Sequence, residues 1–583
     1  MADKEWRVKE PKKRFINPYN FVSLDSEVQR TKHTSGTLTG KIKVNLIVKT
    51  PLAVPDSESV IECGNGHKVY DFFRIGDTPV IPGSQLRGMI RNAYETLSNS
   101  CLSVNNNNIL SARHTNAGNP GLVQYKNKEW HLFKATKYVD NRQFLNETTD
   151  VRRTWYSFKS HDLKTWIFSN TNIEVPCVNL EKAIDNYREN IKIYDVPSSD
   201  FDKNKVKITY GIEPDGRLHP VFYDIVEYNG ENYIYLSPSQ IGRYVFDNRL
   251  DDLLESHISC SKKDGDSLCK ACDLFGMIPT DKNSASHAGK LRFSDALPVD
   301  FESMGKVTLK ELSSPKITSV EFYTKRPENA RYWTYDYKIM YNNIETKNPK
   351  KGKPKMIIVP NKEKCYVEVR GRKFYLHNPN LRSDDYQITN KTKINSTIEL
   401  CKPNSRFSFN IYFDKITEDQ LRELLWAVSI GENTEESQQM HKLGHGKPLG
   451  LGSVKLVAEQ AEIRTFIPDS MTYNVEIIDC KKINKYIADN PFDAESTAFK
   501  EYMQITNFNG VTSVMNKEKA NISYPIADDG KNAVNSTASH QWFIANRSIG
   551  EDGSSTSWSA KYVLPKITSK NPTLPAMEKK GKI

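Results

Sequence analysis

His441-Lys-Leu-Gly-His-Gly-Lys-Pro-Leu-Gly-Leu-Gly-Ser453 places four glycines among basic and titratable side chains. Gly444, Gly446, Gly450 and Gly452 open backbone angles closed to other residues and permit close approach of a second backbone. Lys442, His445 and Lys447 supply donors and positive charge, a combination suited to a phosphodiester chain. A plain surface turn would look the same, so the flanks decide. Before the loop, Phe407, Phe409, Ile411 and Phe413 alternate with polar residues, the period of a half-buried strand. Thr417 and Gln420 then have the spacing of a capping box, ahead of Leu421, Leu424, Leu425 and Val428 at helical spacing. After the loop Ser453–Val457 alternates again. The local order is strand, helix, glycine-rich loop, strand.

A matching half lies near the start. Ile42, Val44, Leu46 and Val48 alternate with Lys41, Lys43, Asn45 and Lys49, predicting a strand over Lys41–Lys49. Downstream runs Thr78-Pro-Val-Ile-Pro-Gly-Ser-Gln-Leu-Arg-Gly-Met-Ile-Arg91. Here Ser84 is expected to cap a helix with the apolar stripe Leu86, Met89, Ile90, Ala93, Tyr94 and Leu97. Free N–H groups at such a start attract phosphate, and Arg87 and Arg91, four apart, share one face. A lone pair of arginines more often lies on an ordinary solvated face, and the capped glycine turn beside this pair weighs against that reading.

Pro51-Leu-Ala-Val, Ile81-Pro-Gly-Ser-Gln-Leu-Arg-Gly88, Leu274-Phe-Gly276, Gly289-Lys-Leu-Arg-Phe-Ser-Asp295 and the closing glycine-rich loop, in that order, resemble the RAMP superfamily of CRISPR-associated proteins. The order is most similar to the crRNA-binding backbone subunits of type III interference complexes. Asn17-Pro-Tyr-Asn-Phe-Val22 and Arg370-Gly-Arg-Lys-Phe-Tyr-Leu-His377 resemble a branch of large RAMP proteins. The resemblance spans about half of the chain. It implies an α+β fold with a ferredoxin-like (RRM-like) core and large insertions, in agreement with the local reading. It also implies crRNA, target RNA and other CRISPR effector subunits as partners. Backbone subunits cut target RNA through an aspartate between the first strand and the Ile-Pro-Gly-Ser turn, with Mg²⁺ or Mn²⁺. Among Asp56, Glu58, Glu62, Asp71 and Asp77, Asp71 is the best match, at a spacing shorter than in cleaving subunits. A lone carboxylate can hold such an ion jointly with phosphates, although most loop aspartates cap turns. The alternatives are a metal-independent endoribonuclease maturing crRNA, for which His67 and His114 offer imidazoles, and an RNA-independent scaffold. Pro82–Leu97 contains no histidine, which disfavours the former.

The chain has 583 residues, enough for a large core or several. Lysine and arginine number 82 against 71 acidic residues, a net charge of +11, and aromatics reach 10%. That balance suits nucleic acid, though +11 is modest over this length. Absence of a long apolar run argues against a membrane partner, and the charged opening has no secretory h-region, so a cytoplasmic location is expected. Its nine cysteines would then stay reduced. Cys63, Cys101, Cys177, Cys365, Cys401 and Cys480 read as small scattered hydrophobes. His257-Ile-Ser-Cys260 and Cys269-Lys-Ala-Cys272 make two chelating pairs across a polar loop. Filling all four positions from His257, Cys260, Cys269 and Cys272 predicts a structural Zn²⁺ knuckle. The resemblance points the same way, since zinc-binding inserts recur in these subunits.

Six segments follow: 1–97, the first half of the core with an N-terminal arm; 98–250, an insertion; 251–300, the zinc segment and a core strand; 301–400, an insertion with basic-aromatic stretches; 401–458, the second half of the core; and 459–583, a C-terminal extension expected to be disordered from Lys566. Within 98–250, Asn105–Asn108, Val151–Lys159, Val206–Tyr210 and Tyr233–Leu236 stand out, and Glu345–Lys355 reads as a basic loop. For RNA contact, Thr324–Trp333 and Arg370–His377 interleave cations with aromatics. Arg370, Arg372, Lys373, Tyr375 and His377 are the candidates, with Phe374 and Leu376 expected to point inward.

Overall fold

Ile42, Val44, Leu46 and Val48 are fully buried while Lys41 and Lys43 face solvent, so the period-two reading sets the central strand of the main sheet. In the computed structural model this strand, β1, spans Leu38–Val48. It is followed by α1 (Gly83–Leu97), β2 (Leu291–Phe293), β3 (Arg406–Ile416), α2 (Glu418–Ser429) and β4 (Ser453–Ile467). β3 pairs with β1 and β2, and β4 pairs with β1 on its other side, all antiparallel. The spatial order is therefore β2-β3-β1-β4. The structure describes residues 6–9, 13–104, 109–113, 118–139, 146, 148–157, 162–194, 211–228, 231–240, 243–263, 267–280, 286–312, 317, 319–328, 330–342, 355–360, 367–528, 539–549 and 560–579. His114, Cys365, Asn105–Asn108, Val206–Tyr210 and all of Glu345–Lys355 but its last residue lie outside them.

Both core helices follow their stripes. Leu86, Ile90, Ala93, Tyr94 and Leu97 of α1 share one core with Leu421, Leu424, Leu425 and Val428 of α2. Removing a side chain such as Ile90 by substitution with alanine would cost roughly 2–5 kcal/mol. The Thr417–Gln420 capping box forms in both directions at the start of α2. At α1 the expectation is corrected. The helix starts at Gly83, with Pro82 in the cap position and no side-chain cap, and Ser84 lies inside its first turn. Asp295 Oδ1 accepts the Gly83 N–H at 2.7 Å, so the chain's own carboxylate takes a donor that had been assigned to phosphate.

Two compact units emerge, one comprising 1–105, 254–315 and 370–583, the other 106–253 and 316–369. The first contains the main sheet. A second sheet in this unit aligns Lys68–Tyr70 parallel to Ser396–Cys401, which pairs on its other edge with Ser303–Thr308. The other unit carries a six-stranded antiparallel sheet from Asn119 to Ser237, faced by the helix Leu180–Tyr194. The expected disorder from Lys566 is corrected for its described part. Leu574–Pro575 pairs with Arg14–Ile16 and Met577–Lys579 with Trp6–Val8, burying Leu574, Ala576 and Met577. Among the described residues, no helix is long and apolar enough to cross a membrane.

Candidate nucleic-acid interface and metal centre

The glycine-rich loop folds onto the segment that follows β1. His445 N–H donates to the Ala53 carbonyl at 2.8 Å, and Gly452 N–H to Pro51 O at 2.9 Å. Gly444, at φ 77°, lies so close that a Cβ would stand 2.3 Å from Ala53 O. At Gly452, φ 73°, a Cβ would stand 1.9 Å from Leu443 O. These glycines admit neighbouring backbone of the same chain, not an outside one. Gly446 precedes the short turn Lys447–Leu449, and the Gly450 carbonyl accepts from Lys442 Nζ at 3.0 Å. Lys442 also donates to Leu451 O, which makes it a half-buried clasp.

What remains open is a cleft of about 530 Å³. Its walls come from α1 (Gln85, Gly88, Met89, Asn92), from Lys373, Tyr375 and His377, and from Lys442, His445 and Lys447 of the loop. Three segments singled out separately in the sequence thus line one cavity, and no acidic side chain is among the described residues that line it. Burial weakens the hold of these bases on their protons. Lys442 is pushed down to about 7 by burial and by the nearby charge of Lys447. Lys373 falls to about 8 through burial, its ammonium 3.8 Å from the Tyr19 ring centroid. Burial likewise lowers His445 and Lys447. His377, held between Ser453 Oγ (2.9 Å) and the Met440 carbonyl (3.2 Å), lies well below the usual imidazole range because it is buried. The Tyr375 ring packs edge-on to Tyr19, with centroids 6.2 Å apart. Leu376 is buried and Phe374 half-buried, as alternation required. Gly88 has open space where a side chain would begin.

The other basic candidates do different work. Arg87 donates to Phe275 O, and Arg91 to Gly276 O (3.1 Å) and Glu95 (2.7 Å), so both clamp the Leu274-Phe-Gly276 turn against α1. Arg370 is buried. Arg372 is buried too, donating to the Ser100 and Cys101 carbonyls and ion-paired to Glu95 at 3.4 Å. Asp71, on the loop after Lys68–Tyr70, is half-exposed and ion-paired to Lys306 at 2.8 Å. His67 is fully buried between Thr392 O and Thr397 Oγ1.

Four buried thiols meet beside α1: Cys101, Cys260, Cys269 and Cys272, with sulfurs all within 4.8 Å of one another. The Cys101 sulfur stands 3.6 Å from those of Cys269 and Cys272. That is far beyond a disulfide bond of about 2.0 Å. Tetrahedral Zn²⁺ with bonds of about 2.3 Å sets its sulfurs roughly 3.8 Å apart, so the donor set fits such an ion. His257 is not one of the group, and Cys101 is not merely a scattered hydrophobe. The His257 ring contacts Asn99 Oδ1 at 3.0 Å, and its carbonyl accepts the Leu102 N–H at 2.9 Å. It thereby holds the strip 99–102 beside the short turn Cys260–Lys262, and this is what carries Cys101 to Cys260. Cys101 lies 159 residues from Cys260 in sequence, so no local spacing could have revealed it.

A model of the RAMP superfamily matches residues 45–250 and 250–455. Among solved structures, the crystal structure of Thermofilum pendens Csc2 aligns at 9% identity over 83% of this chain and 90% of that one, with a TM-score of 0.24. No curated protein sequence matches the chain. The two superfamily matches cover well over half of its length, and the chain belongs to the RAMP superfamily.

Proposed function

We propose that this protein is a crRNA-binding RAMP subunit of a type III CRISPR antiviral effector complex, working with other effector subunits on a target RNA. The observation that carries this reading is the cleft in which Lys373, Lys442, His445 and Lys447 converge with no carboxylate among the described lining residues. Lysines gathered in one cleft are stabilised by an anion, and a phosphodiester chain supplies several in series. Gly88 supports it. A glycine inside a helix costs about 1 kcal/mol relative to alanine, a cost understandable where a ligand backbone approaches. The β2-β3-β1-β4 order with α1 and α2 in between is that of a ferredoxin-like core, which also supports the reading. RNA affinity should fall steeply with salt, and Lys373→Ala with Lys447→Ala should weaken it. Salt-insensitive binding would refute the reading.

Two finer assignments belong with it. Cys101, Cys260, Cys269 and Cys272 hold a structural Zn²⁺ with no position left for a substrate. For target cleavage Asp71, which is ion-paired to Lys306 here, would be the residue that holds Mg²⁺ or Mn²⁺, and the ion would supply charge stabilisation at the phosphate. In a guide-loaded complex Asp71→Asn should stop cutting and leave binding intact, with Asp56→Asn and Asp77→Asn as controls. Cutting that survives Asp71→Asn, or excess EDTA, removes that role.

A further inference from the structure

We propose that His33, Asp273 and His287 form a second metal site, for a divalent transition-metal ion, at the floor of a separate basic cleft. Their ligand atoms lie within 4.8 Å of one another. His33 Nδ1 stands 2.5 Å from Asp273 Oδ1, and His287 Nε2 stands 3.9 Å from the same oxygen. The two imidazole rings are 4.3 Å apart. His287 Nε2 also donates to the Asp273 backbone carbonyl at 3.2 Å, so metal binding would require this ring to turn or exchange that bond for the ion.

The other oxygen of Asp273 is fully engaged elsewhere. Oδ2 accepts from Thr34 Oγ1 at 2.6 Å, Gln420 Nε2 at 2.7 Å and Lys290 Nζ at 2.9 Å. Oδ1 accepts only a long hydrogen bond from the Thr34 N–H, at 3.3 Å, besides its histidine contacts, so the carboxylate has one oxygen toward the ion and the other fixed by outer hydrogen bonds. Around an ion with bonds of about 2.0–2.2 Å, tetrahedral ligand atoms lie roughly 3.3–3.5 Å apart, so shifts of under about 1 Å close the set. Two imidazoles and a carboxylate favour Zn²⁺, Co²⁺, Ni²⁺ or Mn²⁺ over Ca²⁺ or Mg²⁺. Lys290 offsets part of the carboxylate charge, so binding here is weaker than at the thiols. Three protein ligands leave coordination positions open to a cleft of about 630 Å³ lined by Arg292, Lys415 and Arg464 together with Asp414 and Glu462, where water completes the shell. The site differs from the four-thiol group in its donors and in its exposure, since the His33 side chain is 45% exposed.

Co²⁺ titration of the metal-stripped full-length chain tests this. Thiolate-bound Co²⁺ gives a sulfur-to-metal charge-transfer band, whereas Co²⁺ on imidazole and carboxylate does not. The wild type should bind one equivalent without that band, whether or not the thiol site fills. His33→Ala and His287→Ala should each weaken this equivalent at least tenfold and leave the charge-transfer band intact. His33→Ala removes a side chain that is 45% exposed, so it decides the matter even where His287→Ala fails to fold. Absence of a band-free equivalent in the wild type, or its undiminished binding to His33→Ala, overturns the proposal. Loss of the thiolate band alone would count against the four-cysteine zinc reading instead.

Discussion

Cys101→Ser and His257→Ala separate two four-ligand sets for zinc. Cys101 is fully buried, and its sulfur approaches those of Cys269 and Cys272 at 3.6 Å. A serine hydroxyl fits the space but stays protonated and is a poor zinc ligand, so one of four metal bonds is lost. Structural zinc contributes about 10–16 kcal/mol in small domains, so an even share per ligand is roughly 3 kcal/mol. That corresponds to about a hundredfold loss of affinity. His257→Ala removes a hydrogen bond to Asn99 Oδ1, worth about 1 kcal/mol, and touches no metal bond. Metal analysis with a competing chelator should therefore find zinc lost from Cys101→Ser and retained by His257→Ala, with both proteins folded by circular dichroism. Stoichiometric, tightly held zinc in Cys101→Ser, or its loss from His257→Ala, would refute the four-thiol assignment and restore the histidine.

Gly88→Ala should raise stability by about 0.5–1 kcal/mol, because the new methyl meets open space within a helix, yet lower RNA affinity. Thermal denaturation and RNA titration read the two effects, and unchanged affinity would place the RNA elsewhere. RNA affinity should also fall from pH 7 to pH 9. Burial holds Lys373 at about 8 and Lys442 at about 7, so the free cleft loses charge across this window and binding must take up protons. Lys373→Arg, charged throughout, should flatten the fall, and an identical profile would show that Lys373 does not contact phosphate.

Where function was legible in the sequence, it was legible through period and order. The alternation of Ile42 to Val48 and of Phe407 to Phe413 fixed two neighbouring strands, and the Thr417–Gln420 pair fixed the start of α2. What failed was the attribution of individual polar groups. Arg87, Arg91 and Arg372 carry charge that suits RNA, but their guanidinium groups satisfy buried carbonyls, a use no spacing reveals. Ser84 lost its capping role because Asp295, more than two hundred residues on, supplies the acceptor. Cys101 and the pair His33–Asp273 depend on contacts equally distant in sequence. The basic cleft was readable as parts, in Lys373, His445 and Lys447, and not as an assembly.

The most direct measurement is the salt dependence of RNA binding by the wild type and by Lys373→Ala/Lys447→Ala. Each phosphate contact to single-stranded RNA contributes a slope of about −0.7 to the logarithm of affinity against the logarithm of salt. The cleft should give the wild type a steep slope, and the double variant should lose up to about 1.4 of it together with affinity for every RNA sequence tried. A wild-type slope near zero, or a double variant indistinguishable from the wild type, would contradict a phosphodiester chain lying in this cleft.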